Sequence, residues 1–256
     1  IIKTESKKTE TDIDKAWCMQ KSGTWTLTYS KFSSAKSAAN TFVDLLKTND
    51  QSALVSFANS ASLDKGLSNG HSTTKTSINN LVSGGSTNIG DAIKLSNTEL
   101  GSSRSNPQAV KIAILLTDGK ANLPNGNGSD ENTADINYAK AKALEAATAG
   151  YKIFTIGLGS DVNASMLQAI ASSTHAQYYF APSATDLQSI YNQISQRICQ
   201  YGSISGTKYI DANNDGIISG ESTSSDWTIN LNGAASSTQK TNSLGKYVFS
   251  GLLPGT

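Results

Sequence analysis

Short apolar runs alternate with helical stripes along the first two hundred residues. The segments 109–117 (AVKIAILLT) and Lys152–Leu158 (KIFTIGL) are rich in Ile and Val, the pattern of strands buried on both faces. Around them, apolar residues recur at three- and four-residue spacing. Ala35, Ala38, Ala39, Phe42, Val43 and Leu46 form one stripe, and Leu187, Ile190, Tyr191, Ile194 and Ile198 another. Ser183 followed by Asp186 predicts the start of the second helix, a hydroxyl N-cap with an acid three residues on. Further helices are expected at 88–100, 133–149 and 163–172, and strands at 52–59 and 177–181. Residues 12–20 are expected to supply a central strand, although Asp14 and Lys15 are unusual company for one. This alternation predicts an α/β fold, a doubly wound and mainly parallel sheet flanked by helices.

After Tyr201 the period changes. Segments 203–210, 227–232 and 246–250 read as strands separated by Asp-, Asn- and Gly-rich turns, with no helical stripe, so a second, smaller all-β sandwich domain is expected. The organisation predicted is an N-terminal extension over 1–11, an α/β domain over 12–201 and a β domain over 202–256. The last has only 55 residues, marginal for a sandwich, and is expected to be incomplete.

Composition narrows the function. Charged residues make up 16% of the chain, so solubility comes from abundant Ser, Thr, Asn and Gly, a balance common in extracellular bacterial proteins. The net charge of +1, with no run of one sign, argues against a nucleic-acid partner or a polybasic membrane patch. The most apolar stretch, 109–116, is far shorter than the roughly 18–20 residues of a membrane span, so no membrane insertion is expected in this segment. The amino end, IIKTESKKTETD, lacks the basic-then-apolar pattern of a secretion signal. His71 and His175 lie far apart in sequence with no nucleophile signature near either, and no G-x-S-x-G, H-E-x-x-H or Walker A loop is present; an enzyme is not expected. Cys18 and Cys199 are too few for a disulfide framework or a zinc site. Cys18 is placed near the upper end of its strand. Cys199 ends a helix that descends about 24 Å from that same end, so the two thiols are expected to be apart and buried.

In an open α/β sheet the carboxyl ends of the strands form the binding edge. Three loops at such ends carry oxygen-bearing residues: Gln20 to Thr24 with Ser22 between them, GGSTNIGDA around Thr87, and LTDG with Asp118. Hydroxyls and a carboxylate gathered from three loops make a hard, oxygen-only environment suited to Mg²⁺ or Mn²⁺ with several retained waters. Asp91, in the first turn of the expected helix after Thr87, is favoured there by the helix dipole. In the β region, Asp211, Asn213, Asp215 and Glu221 alternate oxygen side chains around a turn at Gly216, an arrangement used by calcium loops.

GGSTNIGDAI at 84–93, ILLTDG at 114–119, SSAKSAANTFVDLL at 33–46 and IGLGSDVNASMLQAIAS at 156–172 together resemble the von Willebrand factor A domain family. The resemblance implies a metal-ion-dependent adhesion site, built in the family from an Asp-x-Ser-x-Ser loop, a Thr and an Asp. Here it implies Ser22, Thr24, Thr87 and Asp118 as ligands, with Gln20 in place of the usual first Asp. Loss of that carboxylate is expected to weaken a divalent ion about ten- to several-hundred-fold. The flanks of the second loop, GSISGTKYIDANNDG and SLGKYVFSGLLPGT, resemble the calcium-binding B repeats of Sdr-like surface proteins and the wider Cna-B-like sandwiches. That resemblance implies Ca²⁺ held by the Asp211, Asn213, Asp215 and Glu221 side chains, with Ile217 in the set. The function expected is a bacterial cell-surface adhesin or surface-fibre component that binds an extracellular protein ligand or a neighbouring surface subunit. The alternative is a structural subunit of a surface filament whose adhesion site holds no metal.

Overall fold

The two most apolar runs sit side by side at the heart of a sheet. In a computed structural model, which describes residues 2–3, 17–21, 24–28, 31–199, 201–232 and 236–252, the chain divides into two units: 1–106 with 111–195, and 107–110 with 196–256. In chain order the first unit holds β1 (Ile2–Lys3), β2 (Trp17–Lys21), β3 (Thr24–Thr28), α1 (Lys31–Asp44), β4 (Ser52–Phe57), β5 (Ala61–Ser68), α2 (His71–Asn80) and α3 (Ile89–Leu100). There follow β6 (Ile112–Thr117), α4 (Thr133–Thr148), β7 (Lys152–Leu158), α5 (Ala164–Ser173), β8 (Tyr178–Ala181) and α6 (Leu187–Ile198), whose last turn crosses into the second unit.

Six strands form one sheet in the order β5-β4-β1-β6-β7-β8, parallel except for the edge strand β5. The pleat sends alternate residues to opposite faces. Phe57, Ala113, Leu115 and Ile153 pack with Ile89, Ile93, Ala139, Ala143, Met166 and Ile170, so α3, α4 and α5 cover one face. Leu54 packs with Ala39, Val43 and Ile78 of α1 and α2 on the other. The rings of Phe42 and Tyr191, 5.3 Å apart, join α1 to α6 there. This three-layer arrangement is the expected doubly wound α/β fold.

Caps account for where the helices begin. Asn88, Asn132 and Asn163 each accept a hydrogen bond from the backbone three residues on, at Asp91, Asp135 and Met166, and each such cap contributes about 1 kcal/mol. The expected Ser183–Asp186 start is present: the Ser183 N–H donates to Asp186 Oδ2 at 2.9 Å, and a short 3₁₀ turn leads into α6.

Two features differ from expectation. The central slot between β4 and β6 holds Ile2–Lys3, within the segment read as an extension, while residues 12–16 of the expected strand lie outside the described residues. Trp17–Lys21 instead pairs antiparallel with Thr24–Thr28 in a separate two-stranded sheet. In sequence terms, a central strand of a parallel sheet favours apolar residues, and Ile2 suits it better than a segment carrying Asp14 and Lys15. Second, Cys199 carries a free and exposed thiol just beyond α6, so it is not the buried residue expected. It lies past Ile194, the last fully buried side chain of the helix stripe.

After α6, the described residues of the second unit form strands and turns. Its strands β9 (Gly202–Thr207), β10 (Tyr209–Ile210), β11 (Ser222–Thr223), β12 (Thr228–Leu231), β13 (Ser237–Lys240) and β14 (Lys246–Leu252) pair antiparallel as β9–β14, β10–β11 and β12–β13. The β10–β11 pair holds the 211–221 loop between its strands.

Candidate functional site

Strand β6 ends on Thr117, and the chain turns at once: Gly119 N–H donates to Thr117 Oγ1 at 3.3 Å, and that hydroxyl donates to Gly119 O at 3.1 Å. Asp118 therefore stands at the carboxyl edge of the sheet. Lys31, Phe32, Ala35, Leu116, Thr117, Asp118 and Leu158 line a small cavity of about 10 Å³ beside it, room for one water-sized occupant.

Thr87 precedes the Asn88 cap of α3 and is only 3% exposed. Its loop is fixed from two sides. Ser86 N–H donates to Asn59 Oδ1 at 2.7 Å, and Asn88 N–H donates to Ala58 O at 3.0 Å, both just beyond β4. From the β6 side, Asn122 Oδ1 accepts from Thr87 N–H at 2.7 Å, while Asn122 N–H donates to Thr87 O at 3.1 Å. The Asn122 amide also donates to Gly128 O at 3.1 Å, which accepts from Ser86 Oγ at the same distance. The 119–132 loop is held in turn by Asp135, a fully buried carboxylate. It accepts from Asn125 N–H at 2.8 Å, the Asn125 side-chain amide at 2.9 Å, Gly126 N–H at 3.0 Å and the Asn132 amide. A buried carboxylate is tolerated when its lone pairs are satisfied in this way.

Asp91 is engaged inside the molecule. Its oxygens accept from Tyr138 Oη at 2.8 Å and from the Asn88 amide at 2.7 Å, joining α3 to α4. Burial, together with the hydrogen bond to Asp91, pushes the Tyr138 phenol up to about 12. Lys120 pairs with Asp161 at 3.5 Å across the loops that follow β6 and β7.

Of the residues predicted for the adhesion site, Thr87 and Asp118 thus lie in loops at one end of the α/β sheet. Gln20 lies in β2 opposite Trp25, Thr24 opens β3 opposite Lys21, and Ser22 lies outside the described residues. Among the described residues, no three acidic, His or Cys side chains converge as a metal cluster. Hydroxyl and carboxylate oxygens, the donor types that Thr87 and Asp118 carry, are the kind that hard cations prefer.

The 211–221 loop is organised by its own side chains. Asp211 accepts from Asp215 N–H at 3.2 Å and Gly216 N–H at 3.1 Å, and Asp215 accepts from Ile217 N–H at 2.7 Å. Asn213 accepts from Asp215 N–H at 3.1 Å, and Glu221 folds back to accept from Ala212 N–H at 3.1 Å. The φ of +71° at Gly216 makes the bend that lets the alternate oxygens face inward. The Ile217 side chain is exposed.

Sequence reasoning missed Asn122 and Asp135. Asn-x-x-Asp spacing at 132–135 and 88–91 is the one signal for the capping half of this network. His71 also has a partner that the sequence hid: its Nδ1 lies 2.9 Å from Ser52 Oγ, which meets Thr74 Oγ1 at 2.9 Å. Ser52 is 7% exposed at the amino end of β4, so this network ties β4 to α2.

A family model described as the von Willebrand factor type A domain matches residues 22–193. No curated protein matches the chain. Among solved structures, proximal thread matrix protein 1 from the mussel byssus is similar at 24% identity and a TM-score of 0.52, over 66% of this chain and 40% of that one. One structure of that mussel protein has a zinc-occupied MIDAS motif. The PilB minor pilin of Streptococcus sanguinis is 22% identical with a TM-score of 0.55, over 67% of this chain and 55% of that one. A von Willebrand factor type A protein of Catenulispora acidiphila is 17% identical with a TM-score of 0.55, over 86% and 52%. The chain thus spans about two-fifths of the mussel protein and about half of each of the others.

Proposed function

Because this chain belongs to the von Willebrand factor type A domain family, we propose that it is a non-enzymatic adhesion module of a bacterial cell surface. It binds an extracellular protein partner at the carboxyl edge of its sheet. The observation that carries this reading is Thr87, a buried hydroxyl residue in a loop fastened by Asn122 to the loop that begins with Asp118. Two oxygen donors in loops joined in this way would hold Mg²⁺ or Mn²⁺, leaving a coordination position for an acidic side chain of the partner. The likeness to a minor pilin and to a byssal matrix protein supports a role at surfaces, and the zinc-bound structure of the latter supports a divalent ion. Ser22 and Thr24 would complete the set, with Gln20 making it weak. The second unit serves as a Cna-B-like stalk that Ca²⁺ rigidifies through Asp211, Asn213, Asp215, Ile217 and Glu221.

Titration calorimetry with Mn²⁺ tests the adhesion site: Asp118→Ala should abolish binding and Gln20→Asp should tighten it. Unchanged affinity in both variants would sink the proposal. A second reading, a structural filament subunit without a working ion site, is favoured by the pairing of Gln20 in a hairpin outside the main sheet. Assembly that continues unaltered in chelator would support it.

A further inference from the structure

The loop after β6 carries two Asn-Gly pairs, Asn125-Gly126 and Asn127-Gly128, in opposite settings. Asn125 and Gly126 are locked onto the fully buried Asp135: the Asn125 amide donates to its Oδ1 at 2.9 Å and the Gly126 N–H to its Oδ2 at 3.0 Å. Asn127 is exposed, and its side chain folds over its own peptide, with Oδ1 accepting from Ser129 N–H at 2.9 Å. Gly128 has a φ of +79° and no Cβ to shield its nitrogen. Its N–H donates to Asn122 O at 3.2 Å, and its carbonyl accepts from Ser86 Oγ and the Asn122 amide, both at 3.1 Å.

We propose that Asn127 is a self-modifying position, at which the turn converts the amide to isoaspartate or aspartate and thereby loosens the fastening of the Thr87 loop. The Gly128 nitrogen attacks Asn127 Cγ, its proton passes through solvent to Nδ2, and the Cγ–Nδ2 bond breaks to release ammonia and leave a five-membered succinimide. Water then opens the ring at either carbonyl, with no change of oxidation state. The Ser129 N–H stabilises the negative charge that builds on Oδ1 during attack. For the nitrogen to react, the Gly128–Asn122 bond must open. The same step at Gly126 takes donors from a buried carboxylate and is costlier, so the fold spares Asn125. Isoaspartate lengthens the main chain by one methylene beside Gly128, whose carbonyl holds Ser86 and Asn122. Conversion therefore strains the clasp between Asn122 and Thr87, whether or not an ion binds at this edge.

The test is incubation of the full chain at mildly alkaline pH, followed by peptide mapping with fragmentation that distinguishes isoaspartate from aspartate. In the folded chain Asn127 should convert roughly ten- to a hundredfold faster than Asn125, and in denaturant the two should convert at similar rates. Asn127→Gln should abolish conversion at that position, because the longer side chain closes its ring far more slowly. Amide hydrogen exchange reads the consequence: the isoaspartate form, separated by its added charge, should exchange faster over residues 86–88 than the fresh chain. Asn127→Asp adds the charge without the methylene and should exchange there as the fresh chain does. Equal conversion of both asparagines in the folded chain, or none at Asn127, would overturn the proposal. Conversion at Asn127 with unchanged exchange over 86–88 would overturn the loosening of the Thr87 loop.

Discussion

Thr87 and Asn122 clasp each other through two hydrogen bonds, Thr87 N–H to Asn122 Oδ1 at 2.7 Å and Asn122 N–H to Thr87 O at 3.1 Å. They are 35 residues apart in the chain. The clasp joins the loop before α3 to the loop after β6, so the hydroxyl residue and the carboxylate of the candidate site share one scaffold. Asp135 supports that scaffold from behind by holding Asn125, Gly126 and Asn132.

Breaking the clasp should separate site geometry from fold. Asn122→Ala leaves the buried Thr87 N–H without its acceptor, at a cost of about 1–3 kcal/mol. Urea denaturation should show that loss with an unchanged slope, and Mn²⁺ affinity should fall at the same time. Wild-type affinity in a destabilised Asn122→Ala protein would mean that the clasp serves stability alone.

Much of this architecture was legible in the chain, and the exceptions have physical causes. Segments such as IAILLT and KIFTIGL announce buried strands because both of their faces need apolar residues. Strand β5, ASLDKGLS, escaped notice because an edge strand is half solvated; it carries Asp64 and Lys65, and Asp64 even accepts from Ser56 N–H at 2.9 Å. Helix α2, HSTTKTSINN, buries only Thr74 and Ile78, too thin a stripe to read. At the site, Asp118 stood out as an oxygen donor at a strand end, whereas the Thr87 loop, read in the same way, connects helix α2 to helix α3 instead of following a strand. Asn122 did not stand out, since its role depends on hydrogen bonds to a loop distant in sequence.

The Glu99 carboxylate provides a test of stability against pH. It is 3% exposed and accepts from Arg104 Nε at 2.9 Å, Arg104 Nη2 and Leu67 N–H at 2.6 Å, tying the end of α3 to β5. The Arg104 hydrogen bonds hold its pKa below the ordinary value of 4.5, against the opposing effect of burial. A depressed folded-state pKa contributes stability that is complete above the unfolded value and lost as pH falls through the folded one. Glu99→Gln should therefore cost about 1–2 kcal/mol at pH 7, and the gap to wild type should narrow below about pH 4.5. Chemical denaturation at pH 7 and at successively lower pH measures both.

In the 211–221 loop, Asp211, Asp215 and Glu221 spend their oxygens on backbone N–H groups within the turn. Calcium bound there should stabilise the folded loop by mass action, since the unfolded chain lacks the arrangement. Calorimetric titration of the full chain should detect Ca²⁺ binding that Asp215→Ala abolishes. Gly216→Ala should weaken it by about tenfold, because a φ of +71° costs a residue with a Cβ roughly 1–2 kcal/mol. Identical heats with Asp215→Ala and wild type would remove calcium from the account of this loop.

The last expectation concerns the seam between α3 and α4. A Cβ placed on Gly90 would lie 2.0 Å from Tyr138 Cδ1, so the ring lies flush against the glycine backbone while its hydroxyl donates to Asp91 at 2.8 Å. Gly90→Ala should therefore destabilise the domain by about 2–3 kcal/mol despite the better helix propensity of alanine, because the ring must move and the hydrogen bond is lost with it. Tyr138→Phe isolates the hydrogen bond and should cost about 1 kcal/mol. Tyr138→Ala empties the space the new methyl needs, so Gly90→Ala added to it should cost little or nothing. A double-mutant cycle by urea denaturation measures the coupling, expected to exceed 1 kcal/mol in favour of the double variant. Additive losses would show that Gly90 is kept for the helix start and not for the ring.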